Sequence, residues 1–237
     1  MSFSMKSYFL GISIQTTPTG YVLSQKKYTQ DILNKAGLAD CKPCPSPISI
    51  KPSIALDSAT LCPDPALYRS LVGALQYLTI THPNISLAVN HSCQHMHSPT
   101  VGHFAEVKRL LHFVKGTIRH CLTYSPNSFD IHAYSDSNWA GDVSDRKSTS
   151  GYCIFLGSNL VSWSAKKRAT VSRSSTKAEY KHIEVDCHFV HDQVLAKRLV
   201  LRYIPTIDWL TSSPNLSLSP DSCISKTSSW SALTPLA

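Results

Sequence analysis

The stretch AYSDSNWAGDVSDRKSTSGYCIFLGSNLVSWSAKK, residues 133–167, decides the fold class. Ile131, Ala133 and Ser135 recur with a period of two, the spacing of a half-buried strand. Residues 152–156, YCIFL, form a continuous apolar run. Gly157-Ser158-Asn159 supplies a turn, and Leu160-Val161-Ser162-Trp163 reads as a third strand. These segments predict an antiparallel meander that begins near residue 129. A helix is expected from about Thr176 to about Lys197, followed by a strand over Leu199–Ile204.

Upstream the period changes. Residues 66–116 carry three apolar stripes at helical spacing. The first holds Leu67, Leu71, Val72, Leu75 and Leu78. The second follows Pro83 and holds Ile85, Ala88, Val89, Cys93 and Met96. The third holds Phe104, Val107, Leu110, Leu111 and Val114, with Gly116 as its stop. Residues 40–65 contain six prolines and read as an extended linker. Residues 8–25 read as a β-hairpin, with Leu10, Ile12 and Ile14 on one arm, Tyr21 and Leu23 on the other, and Thr17-Pro18-Thr19-Gly20 at the turn. A helix from about Lys27 to Ala36 follows, ended by Gly37. Residues 211–237 are Ser-rich, with Asp221 and Lys226 as their charged residues, and read as a disordered tail.

Composition narrows the function. The formal net charge is +8, which favours anionic partners, nucleic acid first among them. The eight cysteines are scattered and mostly sit in apolar surroundings, as small buried hydrophobes in a reducing compartment do. Cys41 and Cys44 form a CxxC without a second pair at zinc spacing. No run of 18 apolar residues exists, and the start has no proper signal-peptide core, so an intracellular chain without a membrane partner is expected.

Chemistry has few candidate seats. Asp136 ends the first meander strand, a rigid edge of the kind that two-metal phosphodiester hydrolysis uses; from pattern alone, an Asp opening a turn in SDSNWAGD is the preferred reading. Glu179 closes a T-x-x-E capping box at Thr176, whose ordinary task is to satisfy a helix start. Lys166, Lys167, Arg168 and Arg173 cluster after the third strand, with Arg146 and Lys147 in the preceding loop. They fit either a solvated face or phosphate contacts. His182, His188 and His191 lie on or near one helix but do not make a convergent zinc set.

Taken together these segments resemble the Pol polyprotein of copia-type retrotransposons, over most of residues 3–210. YFLGISIQ…GYVLSQKKYTQDILNKAGLADCKP resembles the stretch after the polymerase palm. YRSLVGALQYLTITHPNISLAVN and HFAEVKRLLHFVKGT resemble the thumb and connection helices. AYSDSNWAGDVSDRKSTSGYCIFLGSNLVSWSAKK with TVSRSSTKAEY resembles the opening half of the ribonuclease H domain. The resemblance implies an α+β chain. Its parts are 1–39, the end of the reverse transcriptase; 40–65, a linker; 66–128, a helical connection; 129–210, a truncated ribonuclease H-like domain; and 211–237, the tail.

It also implies that Asp136, Glu179 and Asp208 are catalytic carboxylates and ligands of Mg²⁺. Arg146, Lys147, Lys166, Lys167, Arg168 and Arg173 would contact an RNA–DNA hybrid or duplex weakly and without sequence preference, and no small-molecule substrate is implied. Departures from the family pattern carry equal weight. Tyr180-Lys181 runs directly into His182-Ile183, where the family has a strand bearing its third carboxylate, and Asp186 matches no metal position. The polymerase motif YxDD is absent. The lost central strand should leave a parallel-side edge unpaired, a liability for stability and aggregation. Three readings follow: a Pol remnant with residual nucleic-acid binding, a working Mg²⁺-dependent ribonuclease H, or a product without biochemical role.

Overall fold

The computed structural model describes residues 6–49, 60–138, 147–167, 199–204 and 230–235. They fall into two compact units that divide between Thr123 and Tyr124. Among the described residues, strands and helices are segregated along the chain, three strands, then the helices, then six strands, with antiparallel pairing, the α+β class that the residue pattern predicts.

The first unit opens with strands β1 (Lys6–Phe9), β2 (Ile12–Thr17) and β3 (Gly20–Ser24). The β2–β3 hairpin turns at Thr17–Gly20, where Thr17 Oγ1 donates to the Gly20 carbonyl at 3.1 Å. The first arm, however, folds once more than the alternation suggests. Leu10 is not a strand residue. It sits at φ +46° beside Gly11 at φ +75°, while Phe9 pairs with Ile12. Two successive positive φ values are what a two-residue turn between twisted strands requires. The Leu10 carbonyl is held there by the Tyr77 hydroxyl, which donates to it.

Helix α1 (Lys26–Lys35) buries Thr29, Ile32 and Leu33. It ends in a Schellman pair, Gly37 N–H to Asn34 O at 3.0 Å and Leu38 N–H to Leu33 O at 2.9 Å, with Gly37 at φ +67°. Helix α2 (Pro65–Leu78) starts where Asp64 Oδ1 accepts the Leu67 N–H at 2.8 Å and Pro65 fills the first helical position. A 3₁₀ turn at Pro83–Ile85 leads into α3 (Ser86–Cys93). Thr100 caps α4 (Val101–Gly116), and β4 (Leu122–Tyr124) completes a four-stranded sheet of order β1-β2-β3-β4.

Most of the predicted stripe residues form the core, while Leu67, Cys93, Met96 and Phe104 are only partly buried against it. Tyr68, Leu71, Val72, Leu75, Leu78, Ile85, Val89, Val107, Leu110, Leu111 and Val114 are all buried in one cluster with Ile32 and Leu33. The described ends of the proline-rich linker are docked along α4. Cys44 N–H bonds to His112 O at 3.2 Å, Cys62 N–H to Pro99 O at 2.9 Å, and Val101 N–H to Thr60 O at 2.9 Å. A Cβ on Gly116 would lie 3.1 Å from Pro43 Cβ, so the last residue of α4 is small where the linker crosses it.

The second unit holds β5 (Ile131–Asn138), β6 (Thr149–Leu156), β7 (Asn159–Lys167), β8 (Leu199–Ile204) and β9 (Trp230–Pro235), in the order β7-β6-β5-β9-β8. The β5-β6-β7 meander and the Leu199–Ile204 strand stand where periodicity puts them. Two expectations are corrected. The edge of β5 away from β6 is paired: Ala133, Tyr134 and Ser135 face Leu233, Ala232 and Ser231 of β9. The tail is therefore not without structure, since Trp230–Pro235 is a strand. A Ser-rich composition conceals WSALTP, a short uncharged run in which a strand can form.

Candidate functional site

Asp136 lies near the end of β5, two residues before the strand's last residue. Its register partner on β6 is Gly151, which in turn pairs with Ala165 on β7. One row further along, Ser137 faces Ser150 and Ser150 faces Lys166. One row beyond that, Asn138 faces Thr149 and Thr149 faces Lys167. The antiparallel ladder thus gathers Asp136, Lys166 and Lys167 at one end of the sheet, with Lys147 just ahead of β6. Glu179, Asp208, Arg146, Arg168 and Arg173 lie outside the described residues.

The sheet behind this end is firmly packed. Ser148 and Ser150 are buried, as is Phe155, whose ring meets Tyr134 edge-on at a centroid distance of 5.8 Å. Burial pushes the Cys153 thiol up to about 11, so it stays protonated and inert at neutral pH. Asn159 clamps the approach to β5 from both sides, accepting the Ser125 N–H at 2.9 Å and donating to the Ser125 carbonyl at 2.8 Å.

For a divalent ion, Asp136 has the right chemistry, a hard carboxylate oxygen. One carboxylate does not make a two-ion site. Among the described residues, no group of three or more His, Cys, Asp or Glu side chains could hold a metal ion. In the CxxC pair, Cys44 Sγ lies within hydrogen-bond distance of the Ser46 and Arg109 carbonyls, at 3.2 and 3.4 Å. Among the described residues no helix is long and apolar enough to cross a membrane.

The structure also groups residues that periodicity does not single out. His91 on α3 and His95 just beyond its end meet His103 and Glu106 of α4. His91 Nδ1 lies 3.4 Å from Glu106 Oε2, and the His95 and His103 rings stack at 3.6 Å. The signals were present as His91/His95 at i, i+4 and His103/Glu106 at i, i+3. Nothing in the sequence says that the two pairs face each other.

No family model matches the chain, and no solved structure matches it. It is 53% identical over 186 residues to an uncharacterised mitochondrial protein of Arabidopsis thaliana, covering 76% of this chain and 77% of that one. It is 45% identical over 177 residues to the retrovirus-related Pol polyprotein from transposon RE2 of Arabidopsis thaliana, covering 74% of this chain. It is 30% identical over 195 residues to that from transposon TNT 1-94 of Nicotiana tabacum, covering 76% of this chain. The matched segment spans 12% and 14% of those two polyproteins.

Proposed function

This chain belongs to the copia-type retrotransposon Pol family, and we propose that it is a remnant of the reverse transcriptase and ribonuclease H region that keeps weak, sequence-independent nucleic-acid binding without robust catalysis. Charge carries the binding half of this reading. The chain has a formal net charge of +8, and the β-ladder sets Lys166 and Lys167 at the sheet end that also bears Asp136. Successive strand residues point to opposite faces, so Lys166 and Lys167 put positive charge on both faces of this sheet end, where neutralisation of phosphates would release counterions.

The internal join at Tyr180–Ile183 carries the other half. Where the family has a strand bearing a carboxylate, this chain runs straight on, so the four-carboxylate set of the family is incomplete. Mg²⁺, if bound, would polarise the scissile phosphate. This chain's own contribution would be to hold that ion with Asp136, Glu179 and Asp208.

Fluorescence anisotropy of a labelled RNA–DNA hybrid with the full chain tests the reading. Affinity should fall steeply from 50 to 200 mM salt. Reversing Lys166, Lys167 and Arg168 together should flatten the salt dependence by about two to three counterions. Affinity that ignores both salt and the triple reversal overturns the binding claim. The ribonuclease H reading is favoured by the place of Asp136 at a strand end, and a cleavage assay separates it from the remnant.

A further inference from the structure

The His91, His95, His103 and Glu106 cluster is absorbed by none of the functions above, and its geometry depends on protonation state. His103 is the third residue of α4. Its Nδ1 accepts the Thr100 N–H at 3.1 Å, while Thr100 Oγ1 accepts the His103 N–H at 3.3 Å. This is a capping box in which an imidazole does the work usually given to Glu or Gln. An imidazole nitrogen accepts only while it carries no proton. The same ring stacks on His95 with centroids 3.6 Å apart and planes 16° from parallel, and His95 meets His91 edge-on at 5.3 Å.

We propose that the Thr100–His103 cap and the His95–His103 stack form a proton-sensitive clasp at the α3–α4 corner, closed while both rings are neutral and opened when they take up protons. Protonation at Nδ1 turns the acceptor into a donor facing the Thr100 N–H, and the cap is lost. A second proton on His95 places like charges in a parallel stack. A cation at His103 also stands at the positive N-terminal end of α4.

The charged and titratable groups that act on His103 are Glu106 of α4 and His91 of α3; Glu106 in turn interacts with His95 and with Tyr68 of α2, which Cys93 of α3 and Cys62 of the linker also influence. Burial lowers the His103 pKa, with Glu106 opposing and His91 reinforcing. Its neutral form is therefore favoured by folding. That contribution is complete above the ordinary histidine value and is lost as pH falls below it. The His91–Glu106 pair strengthens with acid. It is half-exposed and screened by solvent, so it offsets the loss only weakly. Opening the clasp has a defined consequence, because the linker hangs on both sides of Thr100. Leu61 bridges to Thr100 itself, Cys62 N–H bonds to Pro99 O, and Val101 N–H bonds to Thr60 O.

Amide hydrogen exchange by NMR on the full chain tests this. After correction for intrinsic rates, protection of the Thr100 amide should drop about tenfold between pH 7.5 and 5.5, while the Leu110 amide in mid-helix keeps its protection. His103→Gln keeps an acceptor at the capping position and cannot titrate, so its Thr100 protection should change less than about twofold. An equal drop in His103→Gln, or parallel loss at Leu110, overturns the clasp. If that variant does not fold, the imidazole shifts of the unmodified chain decide. Thr100 protection should follow the His103 titration, and titration without loss of protection overturns the proposal.

Discussion

The Thr81 hydroxyl and the Gln25 side-chain amide are hydrogen-bonded at 2.8 Å, tying the start of α1 to the end of α2 across 56 residues. Both residues are buried, with Gln25 at 0% and Thr81 at 1% exposure. The same hydroxyl lies 3.0 Å from His82 Nδ1, and His82 Nε2 lies 3.3 Å from the Thr117 carbonyl beyond α4. A carbonyl only accepts, so Nε2 must carry the proton of a neutral His82, and Nδ1 must accept. The Thr81 proton satisfies Nδ1 if the Gln25 amide is turned over and donates its NH₂ to Thr81 Oγ1. That orientation also employs the Gln25 nitrogen, which otherwise has no partner.

Thr81→Val removes the hydroxyl at nearly constant volume and leaves Gln25 and His82 facing an alkyl group. Losing a buried partner from such a network should cost about 1–3 kcal/mol. The first unit has no tryptophan, so its unfolding is followed by tyrosine signals in urea. A change below about 0.5 kcal/mol would mean that the network does not hold the helix ends together.

Burial pushes the His82 pKa down to about 4, against the raising effect of its bond to Thr117. An unfolded histidine titrates near 6.5, so the unfolded chain binds the proton first. Stability is therefore full above about pH 6.5 and falls through the window from 6.5 to about 4. At pH 5 the loss should approach about 2 kcal/mol, since each pKa unit is about 1.4 kcal/mol. His82→Asn should remove most of this slope and lower stability at pH 7. A wild-type slope that survives in the variant would place the sensitive group elsewhere.

Gly157 turns β6 into β7 at φ +58°, and a Cβ there would lie 2.6 Å from the Ser128 carbonyl. Backbone cannot yield as a flexible side chain can, so Gly157→Ala strains both the turn and its neighbour. A loss above about 1 kcal/mol is expected, confined to the second unit and read by tryptophan fluorescence. An alanine variant as stable as the parent would show that this turn is not so constrained.

What was legible in the residues follows from what each element depends on. The meander, the first and third helical stripes and the Gly37 stop rest on local period and local capping and appear where those put them, whereas the second helix spans Ser86–Cys93, with Ile85 in the preceding 3₁₀ turn and Met96 beyond its end. The Leu10–Gly11 turn was hidden because a leucine at positive φ is a local anomaly sustained by Tyr77, 67 residues away. Strand β9 was hidden because tail composition outweighed six residues of pattern. The histidine cluster was hidden because neither pair of histidine spacings means anything until α3 and α4 pack. Asp136 stood out only through family resemblance; its local sequence, SDSNWAGD, reads first as a turn, although the residue lies within β5.

The last prediction separates remnant from enzyme. Asp136, Glu179 and Asp208 are the carboxylates that family resemblance assigns, and Asp136 is the one the structure describes, at the end of β5. Three carboxylates can still hold one Mg²⁺, which keeps several waters. Two-ion phosphodiester hydrolysis would need enough carboxylates to hold a pair of ions about 4 Å apart, which together would stabilise the attacking and leaving oxygens. A group displaced by about 1 Å already costs on the order of a hundredfold in rate, and the family resemblance implies that this chain lacks both a ligand and the strand that would carry it. Purified protein with Mg²⁺ or Mn²⁺ and a labelled RNA–DNA hybrid should therefore show no cleavage above background, and Asp136→Asn should be indistinguishable from the parent. Hybrid binding should persist in both, because it draws on the lysines and not on the carboxylates. Cleavage that is present in the parent and lost in Asp136→Asn would restore the nuclease. Cleavage retained in the variant would point to a contaminating enzyme instead.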